Sequence, residues 1–191
     1  AIVRRDLSMK FYCAELPDIV IIEPDVFEDE RGWLMESFNQ LRFDEGLKDL
    51  GVPKAKIFVQ DNHSLSKKDV LRGLHYQVEP FAQGKLVSVT KGAVFDVAVD
   101  IRPASPTYGQ WFGTELNEIN KKMLWIPAGF AHGFLALEDD THFNYKVTDF
   151  YNKDSERSIR WDDSRIAIKW PIRSAYIINE KDKLSPCFNG A

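Results

Sequence analysis

The chain has 191 residues, a formal net charge of −4, 44% hydrophobic residues and 13% aromatic residues. This length suits one domain with a sizeable core, and the apolar content is too high for a disordered chain. Lysines and arginines are scattered along the sequence, so nothing predicts a nucleic-acid surface. We therefore expect one globular domain over residues 1–191. Because the net charge is negative, any anionic ligand must be bound by a local group of positive charges.

The two cysteines, Cys13 and Cys187, stand near opposite ends of the sequence. They form neither a disulfide framework nor a metal-ligand spacing, which favours a reducing compartment. No apolar run reaches transmembrane length, and residues 1–17 lack the apolar core of a signal peptide. These observations predict a cytoplasmic protein that does not bind a membrane.

Most of the chain from Asp18 onward consists of short apolar or alternating runs separated by turn residues. The runs are rich in Val, Ile, Phe, Trp and Tyr, which predicts about ten strands of a sandwich or barrel. The predicted strands are DIVIIEP, AKIFVQ, VLRGLHYQ, KLVSVTKG, AVFDVAVDIR, YGQWFGTEL, KMLWIPAG, GFLALED, HFNYKVTDFY, SIRWDD and IAIKWP. The tail after Trp170 is predicted to be irregular, with a short closing helix.

One early segment, NQLRFDEGLKDLG, departs from the strand pattern. Its residues Phe43, Leu47 and Leu50 have helical spacing, Asn39 precedes them as a capping residue, and Gly51 follows them. We expect an α-helix here.

Polar residues interrupt two of the predicted strands. In VFDVAVD, alternation places Asp96 and Asp100 on the same face as Ala98, which indicates either a polar cavity or, for Asp100, a charge at the strand end. In LRGLHYQ, strict alternation places Arg72 and His75 on opposite faces. A bulge at the intervening glycine would bring both side chains to one site.

His75 alone is more often a structural histidine than a catalyst. Lys85 begins the next predicted strand after the turn AQG, and a hairpin-like connection would set it near His75. A base beside a cation suits removal of a proton next to a carbonyl, because the cation offsets charge on the enolate oxygen.

The stretch WIPAGFAHGFLAL contains a P-x-G-x-x-H turn that ends at His132 and resembles the second motif of the cupin superfamily. GLHYQVE resembles the first cupin motif but keeps only His75, since Gln77 replaces the second histidine. Metal-dependent cupins generally use three histidines and a carboxylate, so we expect no metal and no other cofactor. The alternative for His132 is a turn residue that caps backbone groups.

A longer series of motifs resembles one family, the dTDP-4-dehydrorhamnose 3,5-epimerases. The motifs are FEDERGWLMESF, FVQDNHS, VLRGLHYQ, QGKLV, VFDVAVDIRPASPTYGQW, LWIPAGFAHGF, YKVTDFY, IRWDD, IKWP and EKD, and they run from about Phe27 to Asp182. The resemblance implies a mainly β, cupin-type double-stranded β-helix, or jelly-roll barrel, with a few short helices. It also implies inversion of C3 and C5 of dTDP-4-keto-6-deoxy-D-glucose through an enolate.

The resemblance assigns four catalytic roles. His75 is expected to be the general base and Tyr145 the acid that delivers a proton from the opposite face. Asp182 would orient His75 and support its imidazolium, and Lys85 would stabilise the enolate. Asp96 would tune the charge of the cavity.

The resemblance also implies a substrate-binding set for the nucleotide diphosphate. This set consists of Arg31, Glu36, Gln60, Asp61, Asn62, Arg72, His132, Phe150, Glu156 and Lys181. Phe150 or Tyr151 would stack on the thymine. The family implies a homodimer that exchanges N-terminal strands.

Three other functions fit parts of the sequence. The first is an epimerase that acts at one carbon alone, or a ketoisomerase on a similar barrel, with the same base and acid. A non-catalytic barrel would need the arginines and aromatic residues but neither His75 nor Tyr145. A metal-dependent cupin oxygenase is disfavoured by Gln77.

Overall fold

The computed structural model describes residues 9–172 and 175–188. Residues 1–8, at the start of the segment expected to be exchanged in a dimer, lie outside the described residues. The elements are β1 Met9–Cys13, β2 Val20–Pro24, β3 Val26–Asp29, β4 Gly32–Met35, α1 Gln40–Asp49, β5 Gln60–Ser66, β6 Leu71–Gln77, β7 Lys85–Lys91, β8 Ala93–Asp100, β9 Trp111–Asn117, β10 Met123–Ile126, β11 Phe130–Ala136, β12 Thr141–Val147, β13 Glu156–Ser158 and α2 Glu180–Lys183.

The strands form two larger sheets and a separate hairpin. The six-stranded sheet has the order β1-β2-β10-β7-β12-β5, the five-stranded sheet has the order β13-β6-β11-β8-β9, and β3 pairs with β4. Neighbouring strands in both large sheets are antiparallel. This mainly β, double-sheet architecture confirms the predicted fold class.

The main core lies between the two sheets. Alternation turns Val87 and Val89 of β7 toward Val94 and Ala98 of β8, and Phe143 of β12 completes the contact. All five are nearly or fully buried. The polar residues of the site lie beside this apolar core, at one region of the barrel.

Part of the outer face of each sheet is also covered. Phe43 and Leu47 of α1 pack on Trp125 of the six-stranded sheet. Ile166 and Phe188 of the C-terminal segment belong to a cluster that covers the outer face of the five-stranded sheet. Strand β8 is therefore buried on both faces.

Helix α1 forms where the spacing predicted it. The side-chain oxygen of Asn39 accepts a hydrogen bond from the Arg42 N–H at 3.1 Å, which satisfies a free donor of the first turn. The helix ends before Gly51, whose φ of 70° is the left-handed conformation that commonly terminates helices.

Three predicted strands are absent or much shorter in the structure, and strands β1, β3 and β4 were not predicted. Residues 55–60, predicted as a strand, are irregular up to Gln60, where β5 begins. IAIKWP contains no strand, and SIRWDD is strand only at Ser158. The apolar residues of the first two segments, such as Phe58 and Ile166, pack on the outer faces of the sheets without joining a ladder. Alternating apolar residues show only that one face of a segment is buried. An irregular segment that covers a sheet also buries one face, so its sequence resembles that of a strand.

No helix within the described part of the chain is long and apolar enough to cross a membrane.

Candidate active site

A cavity of about 300 Å³ opens between the two sheets. Nine of the predicted site residues line it: Gln60, Asn62, Arg72, His75, Lys85, His132, Tyr145, Glu156 and Asp182. They come from strands of both sheets and from α2, so the fold gathers residues that are far apart in the sequence.

His75 and Asp182 form a close pair in this cavity. His75 Nε2 lies 2.6 Å from Asp182 Oδ1, and the Gly73 N–H donates to Asp182 Oδ2 at 3.2 Å. Asn179 caps α2 by accepting from the Asp182 N–H at 2.7 Å, which fixes the position of the carboxylate. Because Nε2 is bound to Asp182, Nδ1 is the ring nitrogen left to take a proton from a ligand.

The electrostatic surroundings of Asp182 favour its ionised form. Burial alone would raise its pKa, but the hydrogen bond and charge of His75, the Gly73 N–H and the charge of Lys181 together hold the pKa below the usual carboxyl range. An ionised Asp182 can support positive charge on His75.

A bulge in β6 places Arg72 and His75 at the same cavity. His75 is opposite His132 on β11, whereas Arg72 is opposite Phe134, so three steps along β6 match two along β11. The extra residue confirms the predicted bulge at Gly73, whose φ is 122°.

Lys85 approaches His75 by a different route from the predicted hairpin. Strands β6 and β7 belong to different sheets, so the hairpin-like connection was wrong. Lys85 instead crosses the interior from the six-stranded sheet and donates from Nζ to the His75 carbonyl oxygen at 3.4 Å. Burial lowers the pKa of Lys85 to about 8, although the charges of Asp96 and Glu156 oppose this shift. The side chain is therefore mainly cationic at neutral pH.

A second histidine–carboxylate pair consists of His132, which lines the cavity, and Asp96, which lies outside the lining. His132 Nε2 is 2.7 Å from Asp96 Oδ1, and Asp96 is fully buried. Burial lowers the pKa of His132 despite the opposing effect of Asp96. Burial also raises the pKa of Asp96, and His132 and Lys85 offset part of this increase. His132 is thus a buried neutral imidazole with a carboxylate partner, not a cap of backbone groups.

Tyr145 enters the cavity from β12, in the sheet opposite His75. It is opposite Asn62 on β5 and Val87 on β7. Burial raises the pKa of its hydroxyl, while the charge of Arg72 lowers it and that of Glu156 raises it. The hydroxyl therefore carries its proton at neutral pH.

Charged and aromatic residues surround Glu156 at the edge of the cavity. Lys181 Nζ lies 2.7 Å from Glu156 Oε2, and the Tyr151 hydroxyl donates to the same oxygen at 3.2 Å. Arg72 donates to Ser66 Oγ at 3.1 Å. Tyr151 lines the cavity, but Phe150 is 59% exposed and lies outside the lining, so the geometry favours Tyr151 as the stacking residue.

Four further predicted residues lie away from the cavity of this chain. Arg31 is on the β3–β4 hairpin, where it pairs with Asp29 and its side chain is 72% exposed. Glu36 pairs with Arg42 beside α1, and Asp61 pairs with Lys146 on the outer face of β5. Lys181 does not line the cavity, but it pairs with Glu156, which does.

The lining residues that the sequence analysis did not assign to the site include Ser64, Gln83 and Asn179. The Oγ of Ser64 is buried without a hydrogen-bond partner. Ser64 stands two residues after Asn62, so alternation along β5 could have found it once that strand was recognised. Gln83 belongs to the turn before Lys85, whereas nothing in the sequence marks Asn179.

Across the described residues, no group of three or more histidine, cysteine, aspartate or glutamate side chains is placed to hold a metal ion.

Comparison with known proteins decides the family. The sequence profile described as dTDP-4-dehydrorhamnose 3,5-epimerase matches residues 13–190. This chain belongs to the dTDP-4-dehydrorhamnose 3,5-epimerase family. A family member from Shigella flexneri is 56% identical over 168 residues, which cover 88% of this chain and 90% of that protein.

Solved structures agree with this assignment. The dTDP-6-deoxy-D-glucose-3,5-epimerase from Legionella pneumophila, in complex with dTDP-4-keto-L-rhamnose, has a TM-score of 0.87 and 47% identity, covering 94% of this chain and 93% of that one. A 3'-monoepimerase from Streptomyces bikiniensis, in complex with dTDP-quinovose, has a TM-score of 0.82 and 28% identity, with coverage of 91% and 85%. The shared fold therefore includes enzymes that act at one carbon as well as the 3,5-epimerases.

Proposed function

We propose that this epimerase inverts C3 and C5 of dTDP-4-keto-6-deoxy-D-glucose to give dTDP-4-keto-L-rhamnose. The observation that carries this proposal is the placement of the His75–Asp182 pair on the five-stranded sheet and of Tyr145 on the facing sheet. Inversion at a carbon requires a proton to leave from one face and return to the other. A cavity with a base and an acid on opposite walls meets that requirement.

His75 acts as the general base in this proposal. Its Nδ1 removes the proton from a carbon next to the C4 ketone, and Asp182 stabilises the imidazolium that forms. Because Asp182 is held below the usual carboxyl pKa range, it keeps its negative charge during this step.

Lys85 stabilises the enolate that results. The electron pair from the broken C–H bond moves to the C4 oxygen, and a buried ammonium offsets charge there more strongly than a solvated one would. Tyr145 then gives its proton to the opposite face of the carbon. Before the next proton transfer, His75 must release its proton to solvent and the Tyr145 phenolate must take one up from solvent.

The nucleotide diphosphate is proposed to bind toward the cavity edge. Arg72 lines this edge and offers a planar cation suited to phosphate oxygens. Tyr151 is placed there to stack on the thymine, while Gln60 and Asn62 lie alongside on β5.

The direct test is turnover of dTDP-4-keto-6-deoxy-D-glucose in deuterated water. Inversion through an enolate incorporates one solvent deuteron at C3 and one at C5 of the product, which mass spectrometry and proton NMR detect. Product without deuterium at either carbon would exclude proton exchange as the mechanism.

A single-position epimerase is the second candidate, because a 3'-monoepimerase shares the fold. The presence of His75, Tyr145 and Lys85 indicates proton transfer at carbon, but it does not determine whether one carbon or two are inverted. Deuterium at one carbon alone would favour this candidate over the 3,5-epimerase.

We further propose that the chain is one domain that acts as a homodimer and exchanges its N-terminal segment. Arg31 supports this, since its hairpin extends away from the cavity of its own chain. Trp33 and Leu34 on the same hairpin are more than half exposed, as expected for a surface that a partner covers. A partner chain would then receive Arg31, and Glu36 beside it, as phosphate-site residues.

Mixed dimers test this arrangement. Arg31→Ala and His75→Ala chains are each expected to have low activity alone. If Arg31 acts in the partner's cavity, a mixed dimer places both defects in one cavity and leaves the other intact, so mixing restores activity. Failure of a verified mixed dimer to regain activity would show that Arg31 acts within its own chain or not at all.

A cytoplasmic location is also proposed, because both cysteines of the sequence are free and exposed, as is usual in a reducing compartment.

A further inference from the structure

Two histidines outside the active site lie in direct contact on the outer face of the six-stranded sheet. His63 Nε2 and His142 Nδ1 are 2.9 Å apart, and the ring centroids are 5.0 Å apart. His63 on β5 is opposite Asn144, whereas His142 on β12 is opposite Leu65, so the pair is diagonal across the two strands. The proposed reaction uses neither side chain.

The pair faces away from the cavity. Asn62 and Ser64, the neighbours of His63 along β5, line the cavity, so alternation turns His63 outward. His63 is exposed and His142 is partly exposed, which leaves room for water molecules to complete a coordination shell. The carboxylate of Asp61 lies on the same outer face, two residues from His63, and is paired with Lys146.

The spacing of the two nitrogens fits one class of metal ion. With metal–nitrogen bonds of about 2.0–2.1 Å, two ligands at a right angle are about 2.9 Å apart, whereas tetrahedral ligands are about 3.3 Å apart. The observed 2.9 Å matches the right-angle geometry of square-planar or octahedral ions such as Ni²⁺ and Cu²⁺. In the present hydrogen bond the two nitrogens point at each other, so chelation requires each ring to turn until its lone pair lies about 45° from the line between the nitrogens.

We propose that His63 and His142 form a chelating site for a divalent d-block cation, with Ni²⁺ or Cu²⁺ preferred over Zn²⁺. The ion replaces the proton shared by the two rings and takes its remaining ligands from water. It also links β5, an edge strand of its sheet, to β12. This proposal does not depend on the assigned enzymatic reaction.

Calorimetric titration of untagged protein with Ni²⁺ tests the site. Ni²⁺ is preferred as the probe because the exposed Cys13 and Cys187 would react with Cu²⁺. Wild-type protein is expected to bind one Ni²⁺ per chain. His63→Ala and His142→Ala should each weaken binding by about 10²-fold, because the second ligand of a chelate acts intramolecularly.

His75→Ala is the matched control, since it removes a cavity histidine and leaves the outer pair intact. It should keep the wild-type affinity for Ni²⁺. Ni²⁺ should also raise the Tm of wild-type protein and not that of His63→Ala, because an ion that binds the folded state alone stabilises it. Absence of Ni²⁺ binding, unchanged affinity in either outer variant, or loss of binding in His75→Ala would overturn the proposal.

Discussion

At the scale of single residues, two similar histidine–carboxylate pairs differ in the direction in which the carboxyl pKa is shifted. His75 and His132 are opposite each other on neighbouring strands, and each contacts a carboxylate through Nε2. Asp182 keeps a pKa below the usual range, whereas burial raises the pKa of Asp96 and lowers that of His132. A general base needs a partner that supports its protonated form, so the first pair suits the base.

The charge of Asp96 is expected to act on Lys85. Lys85 has a pKa of about 8, so it loses its charge, and the enolate loses its counter-charge, as the pH rises through 8. Asp96 raises this pKa, and Asp96→Asn should therefore move the alkaline fall of kcat to lower pH. The pH profile of kcat measures the shift, with Asp162→Asn, which removes an exposed carboxylate, as the control. An unmoved alkaline limb in Asp96→Asn would mean that Asp96 carries no charge in the active enzyme.

The sequence predicted some residues of the site better than others. The bulge that brings the side chains of Arg72 and His75 to one cavity could be inferred, because a glycine interrupts an otherwise regular strand. The pairing of His75 with Asp182 spans 107 residues and rests on α2, so the family resemblance supplied it and the residue pattern could not. Lys85 was correctly placed near His75 for an incorrect reason, since it crosses between sheets.

At the scale of elements, strands β6 and β11 approach each other closely at Gly73. A Cβ added at Gly73 would lie 2.6 Å from the Gly133 Cα and 2.8 Å from the His132 carbonyl oxygen. The backbone there also has a φ of 122°. Both the contact and the conformation require glycine, and both fix the positions of Arg72 and His75 in the cavity.

Glycine-to-alanine substitutions separate these two requirements. Gly32 has a φ of 125° but no atom within 4 Å of an added Cβ, so Gly32→Ala introduces backbone strain alone. We expect Gly32→Ala to cost about 1–3 kcal/mol of unfolding free energy and Gly73→Ala to cost clearly more. Urea denaturation of both variants measures the difference. Equal losses would show that the approach of β6 to β11 does not require glycine.

The elements themselves were mostly predictable where apolar residues alternate in a paired strand. Strand β5 was missed because its sequence, QDNHSLS, is almost entirely polar: one face lines the cavity and the other meets solvent. The opposite error occurred at IAIKWP, whose apolar residues cover a sheet without pairing to it. A segment that is buried on one face and a strand that is paired in a sheet have similar patterns of apolar residues. A single sequence therefore does not distinguish one from the other.

At the scale of the whole molecule, the double sheet serves the proposed reaction by providing two walls. The five-stranded sheet carries His75, and the six-stranded sheet carries Lys85 and Tyr145. In the proposed mechanism, a sugar ring between these walls presents opposite faces to the base and the acid. The Arg31 hairpin lies outside this cavity, so a complete phosphate site is expected to need a second chain.

The most direct test of this account compares Tyr145→Phe with His75→Ala in deuterated water, following hydrogen exchange and inversion at C5 separately. Tyr145→Phe should still bind substrate and exchange the C5 hydrogen through His75, while inversion is lost. His75→Ala should lose both, by at least the ~10²- to 10⁴-fold typical of a positioned general base. Inversion at the wild-type rate in Tyr145→Phe, or continued exchange in His75→Ala, would contradict the assignment of acid and base to opposite walls.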